Sequence, residues 1–155
     1  MEAIKIDYID FYDVCFNYNI ARSKEDKMIF FNILKYYLDN LDGKKYLIKV
    51  LNGQPTVMNR IITSSVKCDK LSILLSYFND SEIDILLNEI KVLTEYKIDT
   101  IHSNATKQKY AQEHELLSRQ IIRFRTIRKY RIVVDELLRK YKNEKYLNNI
   151  ILSYL

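Results

Sequence analysis

The sequence predicts an all-α protein: a single-domain helical bundle of six to eight helices with a long basic C-terminal helix. Three observations carry that expectation. Turn residues are scarce, with two Gly and one Pro in 155 residues, whereas sheet proteins draw on both for their hairpins. Apolar residues recur at steps of three and four along most of the chain, the period of a helix and not of a strand. From Ala105 to Leu155 there is neither Gly nor Pro, and twelve Lys and Arg stand against five Asp and Glu. That stretch is therefore +7 in a chain of net charge +5, which leaves residues 1–104 at −2.

The first helix is expected over about residues 2–20, with Ile4, Tyr8, Phe11, Tyr12, Cys15 and Tyr18 on one face and Asp7, Asp10 and Asp13 on the other. Ser23, followed by Asp26 three residues on, reads as a cap for the next helix. Phe30, Phe31, Leu34, Tyr37, Leu38 and Leu41 form the apolar face of that helix, and Gly43 is expected to end it in the left-handed conformation. Lys44 to Leu51 is apolar but too short for its period to separate helix from strand. Pro55 suits a first helical turn, with Val57, Met58, Ile61 and Ile62 facing inward, and Thr63, Ser64 and Ser65 read as a break. Leu71, Leu74, Leu75 and Phe78 mark a further helix. Ser81 with Asp84 reads as a cap for a helix carrying Ile83, Leu86, Leu87, Ile90, Leu93 and Tyr96.

The organisation expected is one domain over 1–155: a helical body over 1–98, a polar linker over about 99–109, and basic C-terminal helices over 110–155. The final segment carries an apolar seam through Tyr110, His114, Leu117, Ile121 and Phe124, continued at Ile127, Tyr130, Val134, Leu138 and Tyr141. A helix of this length exceeds the body it belongs to, so part of it is expected to project, to dimerise or to break, with Asn143-Glu144 as a break and Leu147 to Leu155 as a short terminal helix or tail. A projecting apolar strip makes a homodimer one expected partner.

Function is read from charge and by elimination. Arg119, Arg123, Arg125, Arg128, Lys129 and Arg131 interleave with Phe124, Ile127 and Tyr130. Arg presents a planar fork that fits phosphate or carboxylate, and Tyr and Phe stack on unpaired bases. These six residues are the candidate contact set for nucleic acid or, alternatively, for an acidic protein surface. A weaker pattern over about 22 residues resembles a helix-turn-helix, with Val57–Ile62 as the first helix, Thr63–Lys67 as the turn and Asp69–Phe78 as the recognition helix. It lacks the turn Gly and is poor in charge.

Asp7, Asp10 and Asp13 have the spacing to hold Mg²⁺ but no Lys or His beside them, and are read as a solvated acidic face. Cys15 and Cys68 form no CxxC and are read as buried thiols. His102 and His114 belong to no ligand pattern, and no Gly-rich phosphate loop or nucleophile elbow exists. No cofactor, no metal and no enzyme activity is expected. No apolar run reaches the roughly 18 residues of a membrane span, and an intracellular, cytoplasmic location is expected. The abundance of Tyr, Ile, Asn and Lys matches AT-rich genomes such as those of many viruses, phages and mobile elements. The expected function is that of a small regulator that binds nucleic acid or a nucleic-acid-handling complex, with a protein-interaction module (inhibitor or adaptor) as the alternative.

Overall fold

The structure, a computed structural model, describes residues 7–140. Among them are seven helices and no strand: α1 (Tyr8–Ile20), α2 (Lys24–Asn40), α3 (Lys44–Gly53), α4 (Pro55–Lys67), α5 (Leu71–Leu75), α6 (Asp80–Thr100) and α7 (Asn104–Lys140). The all-α expectation and the long C-terminal helix are both met. The Asn143-Glu144 break, Tyr141 and the terminal segment lie outside the described residues.

Local chemistry sets the ends of these helices. Asp7 caps α1, accepting from the Asp10 amide at 2.9 Å, while the Asp10 carboxylate accepts from the Asp7 amide at 3.3 Å. Two of the three acidic residues at the start of the chain thus serve as a capping box. Ser23 caps α2 as expected, accepting from the Asp26 amide at 3.1 Å. Gly43 departs from expectation. Its φ is −68°, and the left-handed residue is Asp42, with φ of 54°. Gly is needed there for proximity instead, because a Cβ at position 43 would meet the Tyr37 carbonyl oxygen at 2.8 Å. Lys44 to Leu51 resolves as helix.

Three other expectations are corrected. Thr63, Ser64 and Ser65 do not break α4. Thr63 and Ser65 return their hydroxyls to the carbonyls four residues back, at 2.9 and 2.8 Å, so neither competes with the helix. The turn falls instead at Cys68 to Lys70, where Asp69 takes a φ of 59°. The helix-turn-helix reading goes with this correction, since its turn is helical and its recognition helix shrinks to the five residues of α5. The cap of α6 is Asn79, not Ser81. Asn79 and Glu82 exchange amide bonds at 2.8 Å each, which leaves Asp84 free for another role. The linker expected over 99–109 is only three residues, Ile101 to Ser103, between α6 and α7.

One apolar cluster draws on all seven helices, among others Phe11, Leu34, Leu47, Ile61, Leu74, Leu86 and Ile121. Met58, Ile61 and Ile62 face inward as expected, whereas Tyr96 is exposed. α7 packs chiefly on α6, with a smaller contact to α5. The pairing is antiparallel, since Lys97 near the end of α6 lies over the Tyr110 ring and Asp80 at the start of α6 meets Arg128 and Lys129. Residues 130–140 therefore run past the end of α6, an overhang of roughly 16 Å at 1.5 Å per residue.

Candidate partner-binding surface

The six basic residues singled out in α7 separate into three kinds. Arg125 and Arg128 face α6. Arg125 is paired with Asp84. Arg128 donates to the Phe78 carbonyl at 2.6 Å and to the Asp80 carboxylate at 2.8 Å, and its guanidinium lies over the Phe124 ring. Lys129 stands 3.7 Å from the same Asp80 carboxylate. The hydrogen bond from Arg128, aided by the charges of Lys129 and Arg125, holds the Asp80 carboxyl below its ordinary value. These cations thus meet acids in the first turns of α6, where the positive helix end already favours an acid. Arg125 and Arg128 therefore do not stand in open solvent: they are 23% and 26% exposed.

Arg119 is spoken for in another way, through a 2.6 Å ion pair with Glu115 one turn back on α7. Arg123 and Arg131 form no ion pair or hydrogen bond among the described residues. They line a cavity between α5 and α7 together with Phe124 and Ile127. The sequence pattern thus brings together residues that share a stretch of helix but not a face.

The apolar seam of α7 changes character along its length. Leu117 and Ile121 are buried and Phe124 is half-buried against the core. Beyond them the seam residues Ile127, Tyr130 and Leu138 are exposed and Val134 is half-buried, while Ile132, Val133 and Leu137 beside the seam are exposed as well, from 53% at Ile132 to 37% at Leu137. The exposed apolar residues are concentrated on the overhang, with Arg131 and Arg139 set between them.

A second feature escaped the sequence reading. α1, α4 and the first half of α7 enclose a cleft of about 720 Å³. Lys27, on α2, is one of its lining residues and is only 4% exposed. Its ammonium donates to the Tyr18 carbonyl at 3.1 Å, the Asn19 carbonyl at 3.4 Å and Ser64 Oγ at 3.0 Å. It so caps the negative end of α1, which has no basic residue in its own last turn. Burial, with the nearby charge of Lys67, lowers its pKa. The signal in the sequence was its register: Lys27 precedes Phe31, Leu34 and Leu38 on the buried face of α2. His114 lies across the cleft, its ring tilted by 39° against that of Tyr110 with centroids 4.5 Å apart. Burial first, and then Lys97, lower its pKa against an opposing effect of Glu113.

Residues of catalytic type are placed structurally. Cys15 and Cys68 are buried and free. Burial pushes the Cys15 thiol up to about 12, far from the thiolate a nucleophile needs. Cys68 Sγ lies 3.2 Å from the Tyr18 hydroxyl, inside the core. Among the described residues no group of three or more His, Cys, Asp or Glu is placed to hold a metal ion, and no helix is long and apolar enough to cross a membrane. No protein-family model, curated protein or solved structure matches the chain.

Proposed function

We propose that this protein is a non-enzymatic interaction module that docks on a partner protein through the overhang of α7. The partner would offer an apolar groove rimmed by carboxylates. The observation that carries the reading is the run of exposed Tyr130, Ile132, Val133, Leu137 and Leu138 on a stretch of helix that runs past the start of α6. Helices of this kind bind by laying an apolar face into a groove. Arg131 and Arg139, without ion-pair partners among the described residues, favour an acidic rim over a neutral one.

A nucleic-acid partner is the second reading, and the pairing of the cations is what ranks it second. A phosphate-binding surface is built from cations that are free to displace counterions. Arg125, Arg128 and Lys129 already face Asp84 and Asp80, and Arg119 faces Glu115. Arg123 and Arg131 beside Phe124 are what supports this second reading.

A photo-crosslinking residue at Leu137, with one at Asn52 on α3 as control, tests the docking. The protein captured only from position 137 is purified and bound again. Its affinity should fall with salt, fall further for R131E/R139E, and vanish for V133S/L137S/L138S. In parallel, single-stranded and duplex DNA and RNA are titrated at rising salt. Nucleic-acid binding whose log–log salt slope on a duplex flattens by roughly 1.8 in R123E/R131E, the loss of two phosphate contacts, would put the second reading first. A stable species at twice 18.6 kDa that V133S/L137S/L138S returns to monomer would make the partner a second copy.

A further inference from the structure

The cleft between α1, α4 and α7 has two chemically distinct walls. On α1, Tyr12, Phe16 and Ile20 follow one another at four-residue steps and line it, and Phe16 and Ile20 are exposed although large and apolar. On α4, Arg60, Thr63, Ser64 and Lys67 line it at i, i+3, i+4 and i+7, a polar stripe of one helix face flanked by Val57 and Val66. From α7, Leu116 adds a further exposed apolar surface.

The charge of the cleft is one-sided. Lys27, Arg60, Lys67 and Lys97 line it against a single acid, Glu113. None of the four cations forms an ion pair among the described residues. Lys27 is buried without a counterion, its three bonds all going to neutral oxygens, and an uncompensated buried charge is costly.

Hydrogen bonding in the cleft is also incomplete. Asn19 Oδ1, Asn59 Oδ1 and His114 Nδ1 are buried and have no partner, and each belongs to a residue that lines this cleft. Orphaned buried polar atoms are rare in native proteins, and three of them belong to residues around this one cleft. The volume of about 720 Å³ lies within the roughly 300–1,000 Å³ range of small-molecule sites.

We infer that this cleft binds an amphipathic organic anion of small-molecule size, its apolar body laid on Phe16, Ile20 and Leu116 and its carboxylate at the Arg60–Lys67 stripe above the Lys27 ammonium. The inference is independent of the overhang of α7 and of whatever partner that overhang takes.

The test uses the whole chain with dodecanoate below its micellar concentration, followed by calorimetry and by nuclear magnetic resonance of the ¹⁵N-labelled protein. Dodecanoate should bind saturably at one per chain and shift the side-chain amides of Asn19 and Asn59 and the ring of His114. Dodecyltrimethylammonium, with the same tail and the opposite head, should bind at least tenfold more weakly. R60E/K67E, both exposed positions, should keep the thermal midpoint and lose at least tenfold in affinity for dodecanoate. Several results would overturn the inference: no dodecanoate binding at millimolar concentration, equal binding of the two head groups, shifts confined to residues 130–138, or undiminished binding by R60E/K67E. Binding to phosphatidylserine vesicles with no response to soluble dodecanoate would also overturn it, in favour of a lipid surface.

Discussion

Two stretches of α7 share one unbroken helix and nearly the same vocabulary of Ile, Leu, Val, Tyr and Arg, yet they live in different surroundings. In residues 104–129 the apolar seam turns inward at Leu117 and Ile121, and the flanking cations close onto acids of α6. In residues 130–140 most of the same residue types are exposed, because α6 begins at Asp80 and its packing against α7 ends there; Arg131 still borders the cavity beside α5, and Val134 is half-buried. Composition therefore does not assign a role to an Arg or a Leu in this helix; the length of the neighbouring helix does. The near stretch packs on the body of the fold, and the far stretch exposes most of its apolar residues.

The sharpest way to break this contrast is to truncate one residue on each side. Ile121→Ala removes a fully buried side chain and should lower stability by about 2–5 kcal/mol, as buried Ile truncations do. Leu137→Ala should change it by less than about 0.5 kcal/mol, as surface substitutions do. Phe124, half-buried under Arg128, should fall between the two. Urea denaturation of the three variants checks the order, and equal losses at 121 and 137 would erase the distinction.

Next in size is Arg128→Ala. It removes a charge-assisted bond to the Phe78 carbonyl and should cost roughly 1.5–3 kcal/mol, the range for hydrogen bonds to charged groups. The triple change R125E/R128E/K129E should be worse, since it sets three carboxylates against Asp80 and Asp84. A triple variant with the thermal midpoint of the parent would mean that these residues do not hold α7 to α6. R123E/R131E should leave the midpoint alone and serves as the control.

These cases show where the sequence was legible. Helix identity and most inward faces were readable because they depend on local period: Met58, Ile61 and Ile62 on α4, or Ile83, Leu86 and Ile90 on α6. Caps were readable to within two residues for α2 and α6, but the first helix, expected from about residue 2, is α1 starting at Tyr8 with Asp7 as its cap. Asn79 took the role assigned to Ser81 because Glu82, three residues on, reciprocates, and Ser81 has only Asp84, which Arg125 claims from 41 residues away. Long-range pairing of that kind leaves no trace in helical spacing. The basic cluster was legible as a cluster, but the division into Arg125 and Arg128 facing α6 and Arg123 and Arg131 facing away depends on where α6 starts. The cleft was illegible for the same reason. It is assembled from helices far apart in sequence, and Lys27 announced itself only as a charge at an apolar position of α2.

A pH dependence sharpens the account of α6, the helix that gives α7 its near half. Glu89 has a buried, unpartnered Oε2, and burial raises its carboxyl from 4.5 to about 7. The folded state therefore holds this proton more tightly than the unfolded chain does. Stability should be highest below about pH 4.5 with respect to this group and decline as pH rises through 7. Glu89→Gln removes the titration, so its urea midpoint should fall less between pH 5 and 8 than that of the parent. Parallel midpoints for the two proteins would mean that Glu89 is solvated.

The smallest expected effect on stability is the most telling for function. V133S/L137S/L138S replaces three apolar side chains of the overhang that are 52%, 37% and 38% exposed and belong to no buried cluster among the described residues. Stability should shift by no more than about 0.5 kcal/mol per site, and the helical signal should persist, since Ser lowers helix propensity only modestly. Capture of a partner from position 137 should nonetheless vanish, because an apolar helix face binds through the area it withdraws from water. Differential scanning calorimetry and rebinding of the captured protein read the two effects separately. A fall of several degrees in the thermal midpoint would show that the overhang is packed within the chain. Intact binding at an unchanged midpoint would move the contact to the near half, where Arg123 and the cavity beside Phe124 remain.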